Sequence, residues 1–177
     1  MKILASIIAA VATILVSSAY GCDEECRKEE AQQANNITFS SYLSWQYCDD
    51  IRMDFMTTSM RSLENYQTKH FNPKYKGGMR NTKNFLEQRK EWLQECDTYL
   101  RLTEKGRIFD DEKTTKQVFA KMDAVTKELD DLLSGVTYTS SFGQDASAVV
   151  GDKFQDLFKV VDDHKTLMYM KGRYVFR

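Results

Sequence analysis

The sequence predicts an all-α protein, an up-down-up-down helical bundle of four main helices preceded by a short N-terminal helix and stapled by disulfides. Three observations lead there. One proline and eight glycines leave few helix breakers in 177 residues, and most of those glycines fall where helix ends are wanted. Apolar residues in the C-terminal half recur in steps of three and four, the rhythm of a bundle seam. The four cysteines are spaced to gather in one layer. The midpoint between Cys48 and Cys96 falls on Asn72, beside Pro73, and that between Cys26 and Cys48 falls at the Asn35-Asn36-Ile37-Thr38 cluster. A chain that turns at both places brings the thiols level.

Residues 1–21 read as a signal peptide: Lys2 supplies the positive charge, Ile3 to Val16 is apolar but short for a membrane span, and Ser17 to Gly21 offers small residues for cleavage. Cleavage after Ala19 or after Gly21 satisfies the pattern. The second would expose Cys22 as a site for lipid anchoring, but Tyr20 is bulky where such signals prefer small residues. Lipidation would also leave an odd cysteine in an oxidising compartment. A periplasmic or secreted protein is expected, with residues 22–177 forming a single helical bundle domain. A chain of this size buries about 70% of its unfolded surface. No second run of membrane length follows. With 25 basic residues against 26 acidic ones and no basic block, nucleic acid is not an expected partner and long-range steering is weak.

Taken in order, 22–34 forms a polar helix that needs an anchor, with only Ala31 and Ala34 apolar besides the cysteines. A second helix is expected from about Thr38 to Lys69, where Phe39, Leu43, Trp45, Ile51, Phe55, Met56, Met60, Leu63 and Tyr66 spread over a face broad enough to touch two neighbours. It ends before Phe71-Asn72-Pro73. The third carries Phe85, Leu86, Trp92, Leu93, Cys96, Tyr99 and Leu100, with Gly106 as its expected C-terminal cap. Val118, Met122, Val125, Leu129, Leu132 and Val136 make the seam of the fourth, between Asp110-Asp111 and Gly135. Val150, Phe154, Leu157, Val161, His164 and Met168 make that of the fifth, capped by Asp145 or Ser147. Gly151 is an interior helical glycine, a cost of about 1 kcal/mol against alanine unless a neighbouring helix comes close. Short connections suit antiparallel neighbours.

Three disulfide pairings exist for Cys22, Cys26, Cys48 and Cys96. Residues four apart within a regular helix lie about 6 Å apart at Cβ, beyond the roughly 3.5–4.5 Å a disulfide needs. The layer arrangement therefore favours Cys26 with Cys48 and Cys22 with Cys96. The rival joins Cys48 to Cys96 and leaves Cys22 and Cys26 to bridge in a frayed end. Zinc is disfavoured by the absence of Cys-x-x-Cys spacing.

No nucleophile elbow, phosphate-cradling loop, His-Glu-x-x-His or Ser-His-Asp order occurs, so no catalytic residue and no cofactor is assigned. The Asp-Asp pairs read as surface and capping charges, and Met53, Met56 and Met60 as a core stripe. His164 lies on a seam, where an interfacial histidine is the plain reading and a metal or haem ligand the sharper one. Asn36-Ile37-Thr38 is a glycosylation sequon.

The stretch Gln88-Arg89-Lys90-Glu91-Trp92, followed by Cys96, in a small exported helical chain, resembles the periplasmic lysozyme-inhibitor family typified by LprI. In that family a Gln-Arg-x-Trp stretch precedes a cysteine on the second helix of a hairpin; here one extra residue separates Arg89 from Trp92. The resemblance spans about residues 22–100 and transfers no functional residue. It implies a non-enzymatic binding module, an inhibitor of a cell-wall hydrolase such as lysozyme, with a protein partner in the cell envelope. The alternative is a periplasmic metal or haem carrier using His164 and core methionines. Partner-binding candidates are the loop aromatics Phe71, Tyr75, Tyr138 and Phe142, at one end of the bundle; the plain reading is that they close the core there.

Overall fold

The computed structural model describes residues 21–64, 76–134 and 146–170. Residues 1–20 of the expected signal peptide, with Tyr66, His70, Asn72, Pro73, Gly135, Val136 and Asp145, fall outside them. The described chain is helical with no strand, and it divides into two compact units at Phe39 and Ser40.

The first unit contains α1 (Glu24–Asn35). Asp23 caps it, its side chain accepting from the Cys26 backbone N–H at 2.9 Å, and Glu24 and Glu25 sit in the first turn, where the helix dipole favours negative charge. Asn36 ends it in the left-handed conformation (φ 50°). Its N–H donates to the Gln33 carbonyl and that of Ile37 to Gln32, a Schellman ending in which asparagine does what glycine more often does.

The second unit is the bundle. Its first helix, α2 (Trp45–Asp54), runs into a π-helical turn at Phe55–Ser59 and continues helically over 60–64. The expected start at Thr38 is corrected. Ser44 is the N-cap, accepting from Tyr47 N–H at 3.1 Å, while residues 37–44 stay non-helical. This segment offers hydroxyls at Thr38, Ser40, Ser41 and Ser44, any of which can cap, and tertiary structure decides: the Ser40 hydroxyl is engaged by Glu95 of the next helix at 2.9 Å. The wide π-turn explains the broad apolar face, because it brings the neighbours Phe55 and Met56, then Ser59 and Met60, all into the interior. Arg89 binds this turn, with Nε donating to Ser59 Oγ at 3.1 Å and lying 3.6 Å from Asp54; its guanidinium stacks on Phe85 and Trp92.

Three long helices follow: α3 (Lys76–Leu102), α4 (Glu112–Leu133) and α5 (Ala146–Met170). α2 packs on α3, α3 on α4, α4 on α5, and α5 returns to the π-turn, closing a four-helix ring. The two seams read from the sequence are the core: Val118, Met122, Val125 and Leu129 face Val150, Phe154, Leu157, Val161, His164 and Met168, all buried. Ile51, Phe85, Trp92 and Leu132 are only half-buried and Trp45 is exposed, departures from the expected apolar faces.

α3 ends earlier than Gly106. Glu104, at φ 58°, takes the left-handed position, donating to Arg101, with Lys105 N–H reaching the Leu100 carbonyl at 2.8 Å. Gly106 (φ 105°) instead turns the connection that follows. At the start of α4, Asp111 accepts from Thr114 N–H at 2.7 Å and Thr114 Oγ1 at 2.9 Å. Those bonds, the backbone one first, hold the Asp111 carboxyl below its ordinary value. The stabilisation is fully present above the unfolded value of about 3.9 and disappears as pH falls through the folded one. Asp111→Ala is therefore expected to cost about 1 kcal/mol at neutral pH. The urea midpoints of variant and parent should converge on acidification; a gap that persists in acid would refute this account.

Candidate functional site

Among the described residues, a set of polar and aromatic side chains gathers at the end where α2 and α4 begin and α3 and α5 finish. Cys48 and Cys96, both fully buried, are joined there with Cα atoms 5.3 Å apart, fixing the first turn of α2 to the last turns of α3. One residue on, buried Asp97 accepts from Arg107 Nε and Nη2 at 2.8 and 2.7 Å and from Ile108 N–H at 3.0 Å, so one carboxylate ties the α3–α4 connection to α3. This hydrogen bonding raises the Arg107 pKa. Ile108 and Phe109 then turn inward. Phe109 meets Phe55, Phe119 and His164 edge-on, with centroids 6.1, 6.4 and 5.6 Å away.

Above this plug lies a cavity of about 390 Å³ lined by Trp45, Cys48, Asp49, Arg52, Leu100, Lys105, Arg107, Ile108, Asp110 and Met168. Arg52 pairs with Asp49 through Nη2, while its Nε is buried without a hydrogen-bond partner. Trp45, which lines the cavity, is 51% exposed, and Tyr42, three residues earlier in the chain, is 54% exposed. The Tyr42 ring packs 5.0 Å from that of Tyr47, and Glu95 accepts from Ser40 and, at 3.4 Å, from the Tyr42 hydroxyl. Burial, with the Tyr42 and Glu95 charges adding to it, pushes the Tyr47 hydroxyl pKa up.

The sequence-derived partner-binding candidates Phe71, Tyr75, Tyr138 and Phe142 lie outside the described residues. Among the described residues the candidate site lies where the α3–α4 connection runs. Sequence reasoning missed its exposed aromatics, because Trp45 reads as part of the second helix's apolar face and the Ser44 cap that sets it at the helix start is seen only in the structure.

The favoured disulfide pairing is corrected. Cys22 bonds to Cys26, with Cα atoms 5.4 Å apart, and Cys48 to Cys96. The geometric objection to the first bond holds only where both residues lie in a regular helix; Cys22 precedes the Asp23 cap and is free of helical geometry, so its Cβ can swing toward Cys26. No free cysteine remains.

His164 is buried at 3% exposure, its ring edge-on to Phe109. Met53 is half-buried, and Met56 and Met60 are in the core. Among the described residues the donors grouped closely enough to hold a metal ion are Cys22, Cys26 and Glu30, and the two sulfurs are already bonded to each other.

Among known proteins, no family model matches the chain, and no curated protein or solved structure shows significant similarity to it.

Proposed function

We propose that this chain is an exported, non-enzymatic helical binding module that engages a protein partner in the cell envelope, and that the partner is a cell-wall hydrolase such as lysozyme. The observation that carries this reading is the pair of half-exposed aromatics: Tyr42, bonded to Glu95, and Trp45, which lines a cavity together with Cys48 of the Cys48–Cys96 bond. Rigid aromatic surface next to a recess is what interface anchors use, since it buries large area at little entropic cost. Leu167, 42% exposed near the end of α5, adds apolar surface at the same end of the bundle. A non-enzymatic role is supported by how the charges at this end are used: Asp97 is committed to Arg107 and Asp49 to Arg52. Export is supported by the pairing of all four cysteines, which persists in oxidising compartments. The Gln88-to-Trp92 resemblance points to the hydrolase.

The test is lysis of cell-wall suspensions by lysozyme in the presence of the purified protein. Dose-dependent inhibition is expected, reduced about tenfold or more by Tyr42→Ala with Trp45→Ala at unchanged melting temperature. Undiminished lysis at large molar excess would remove lysozyme as the partner.

A further inference from the structure

We infer that the cavity beside Trp45 binds a monoanionic carboxylate carried on an apolar body, an assignment that rests on the reading of this end of the bundle as the binding face. Its volume of about 390 Å³ lies within the range of small-ligand sites. Trp45, Leu100, Ile108 and Met168 supply apolar wall from α2, α3, the α3–α4 connection and α5.

The cations that line it are not equally committed. Arg107 spends Nε and Nη2 on Asp97. Arg52 gives Nη2 to Asp49 but keeps Nε buried without an acceptor, on a side chain only 14% exposed. That Nε is shut off from solvent, so a ligand in the cavity meets the positive charge of Arg52 rather than this donor. Lys105 lines the same space and has no ion pair among the described residues. Against these stands Asp110, which also lines the cavity and sets the preference for one negative charge over a dianion or polyphosphate. Such a carboxylate could arrive as a free small acid or as the C-terminus of a peptide chain.

The experiment uses phenylacetate and its uncharged analogue phenylacetamide, with the two tryptophan indole N–H resonances as reporters in NMR titrations of the exported protein. Phenylacetate should shift Trp45 and leave Trp92, which packs under Arg89, unmoved. The amide should bind about tenfold more weakly. Lys105→Gln should weaken the acid by about three- to tenfold. Asp110→Asn, a change compatible with its φ of 68°, should tighten it. Lys121→Gln, on α4 and paired with Asp156, should do neither. Equal affinity for acid and amide, or no Trp45 shift in a protein whose spectrum stays folded, overturns the assignment.

A tripeptide, glycyl-glycyl-phenylalanine with free and amidated C-terminus, separates the sources. Tighter binding of its free form than of phenylacetate identifies a chain terminus; the reverse identifies a small acid, and either upholds the carboxylate site. Should phenylacetate fail while hydrolase inhibition still requires Trp45, the cavity assignment falls and the binding-face reading stands. Should phenylacetate bind while lysozyme goes uninhibited, the carboxylate site stands and the hydrolase reading falls.

Discussion

Replacing Cys48 and Cys96 together by alanine is expected to destabilise the bundle by about 4 kcal/mol, a fall in melting temperature on the order of 10 °C. The bond spans 48 residues of sequence, so in the chain-entropy description it removes a large set of unfolded conformations. It also lies where α2 has few other fixings: the helix begins only at Trp45, and its hold on α3 at that end depends on Cys96 and on Glu95's bonds to Ser40 and Tyr42. Urea unfolding of parent and variant, both oxidised, measures the difference; a loss below about 1 kcal/mol would show that packing alone holds this end. The other bond behaves differently. Cys22 and Cys26 are partly exposed, whereas Cys48 and Cys96 are fully buried. Mild reductant should therefore open Cys22–Cys26 first, with mass-tagged thiols appearing there before any appear at Cys48.

Periodic segments can be read directly from the sequence because one physical rule decides them. Val118, Met122, Val125 and Leu129 on α4, and the matching residues of α5, must share a face if they are helical at all, and they do share one. The points that resist reading are those where several local solutions compete. Thr38 and Ser44 both satisfy a helix start, and only contact with Glu95 of α3 selects between them. The π-turn at Phe55–Ser59 leaves no compositional trace, since its stabilising partner, Arg89, comes from thirty positions away. The layer of cysteines is half legible: Cys48 and Cys96 are indeed level, but a cap residue at Asp23 frees Cys22 to bond its near neighbour. The cavity is not legible at all, because its wall is drawn from four separate segments and its charges from side chains that in isolation read as ordinary surface.

The second large effect is expected at Phe109. Apolar residues in a short connection, beside glycine and paired aspartates, read as loop, yet Ile108 and Phe109 are as buried as any residue of the seams, at 1% and 0% exposure. Phe109 closes the core at this end through its edge-on contacts with Phe55, Phe119 and His164, linking the π-turn, α4 and α5. Phe109→Ala should cost about 3–5 kcal/mol, the loss of an aromatic whose surroundings cannot fully collapse. Phe109→Leu should cost clearly less, because much of the volume is kept. The two can be compared by chemical denaturation. The consequence extends to the cavity, since Ile108 lines it and is held by Asp97 in the same stretch of backbone. Phenylacetate should thus bind the leucine variant almost as tightly as the parent and the alanine variant more weakly. A Phe109→Ala protein as stable as its parent would mean that the α3–α4 connection only covers the core, and that the bundle end beside Trp45 is held by the Cys48–Cys96 bond and Asp97 alone.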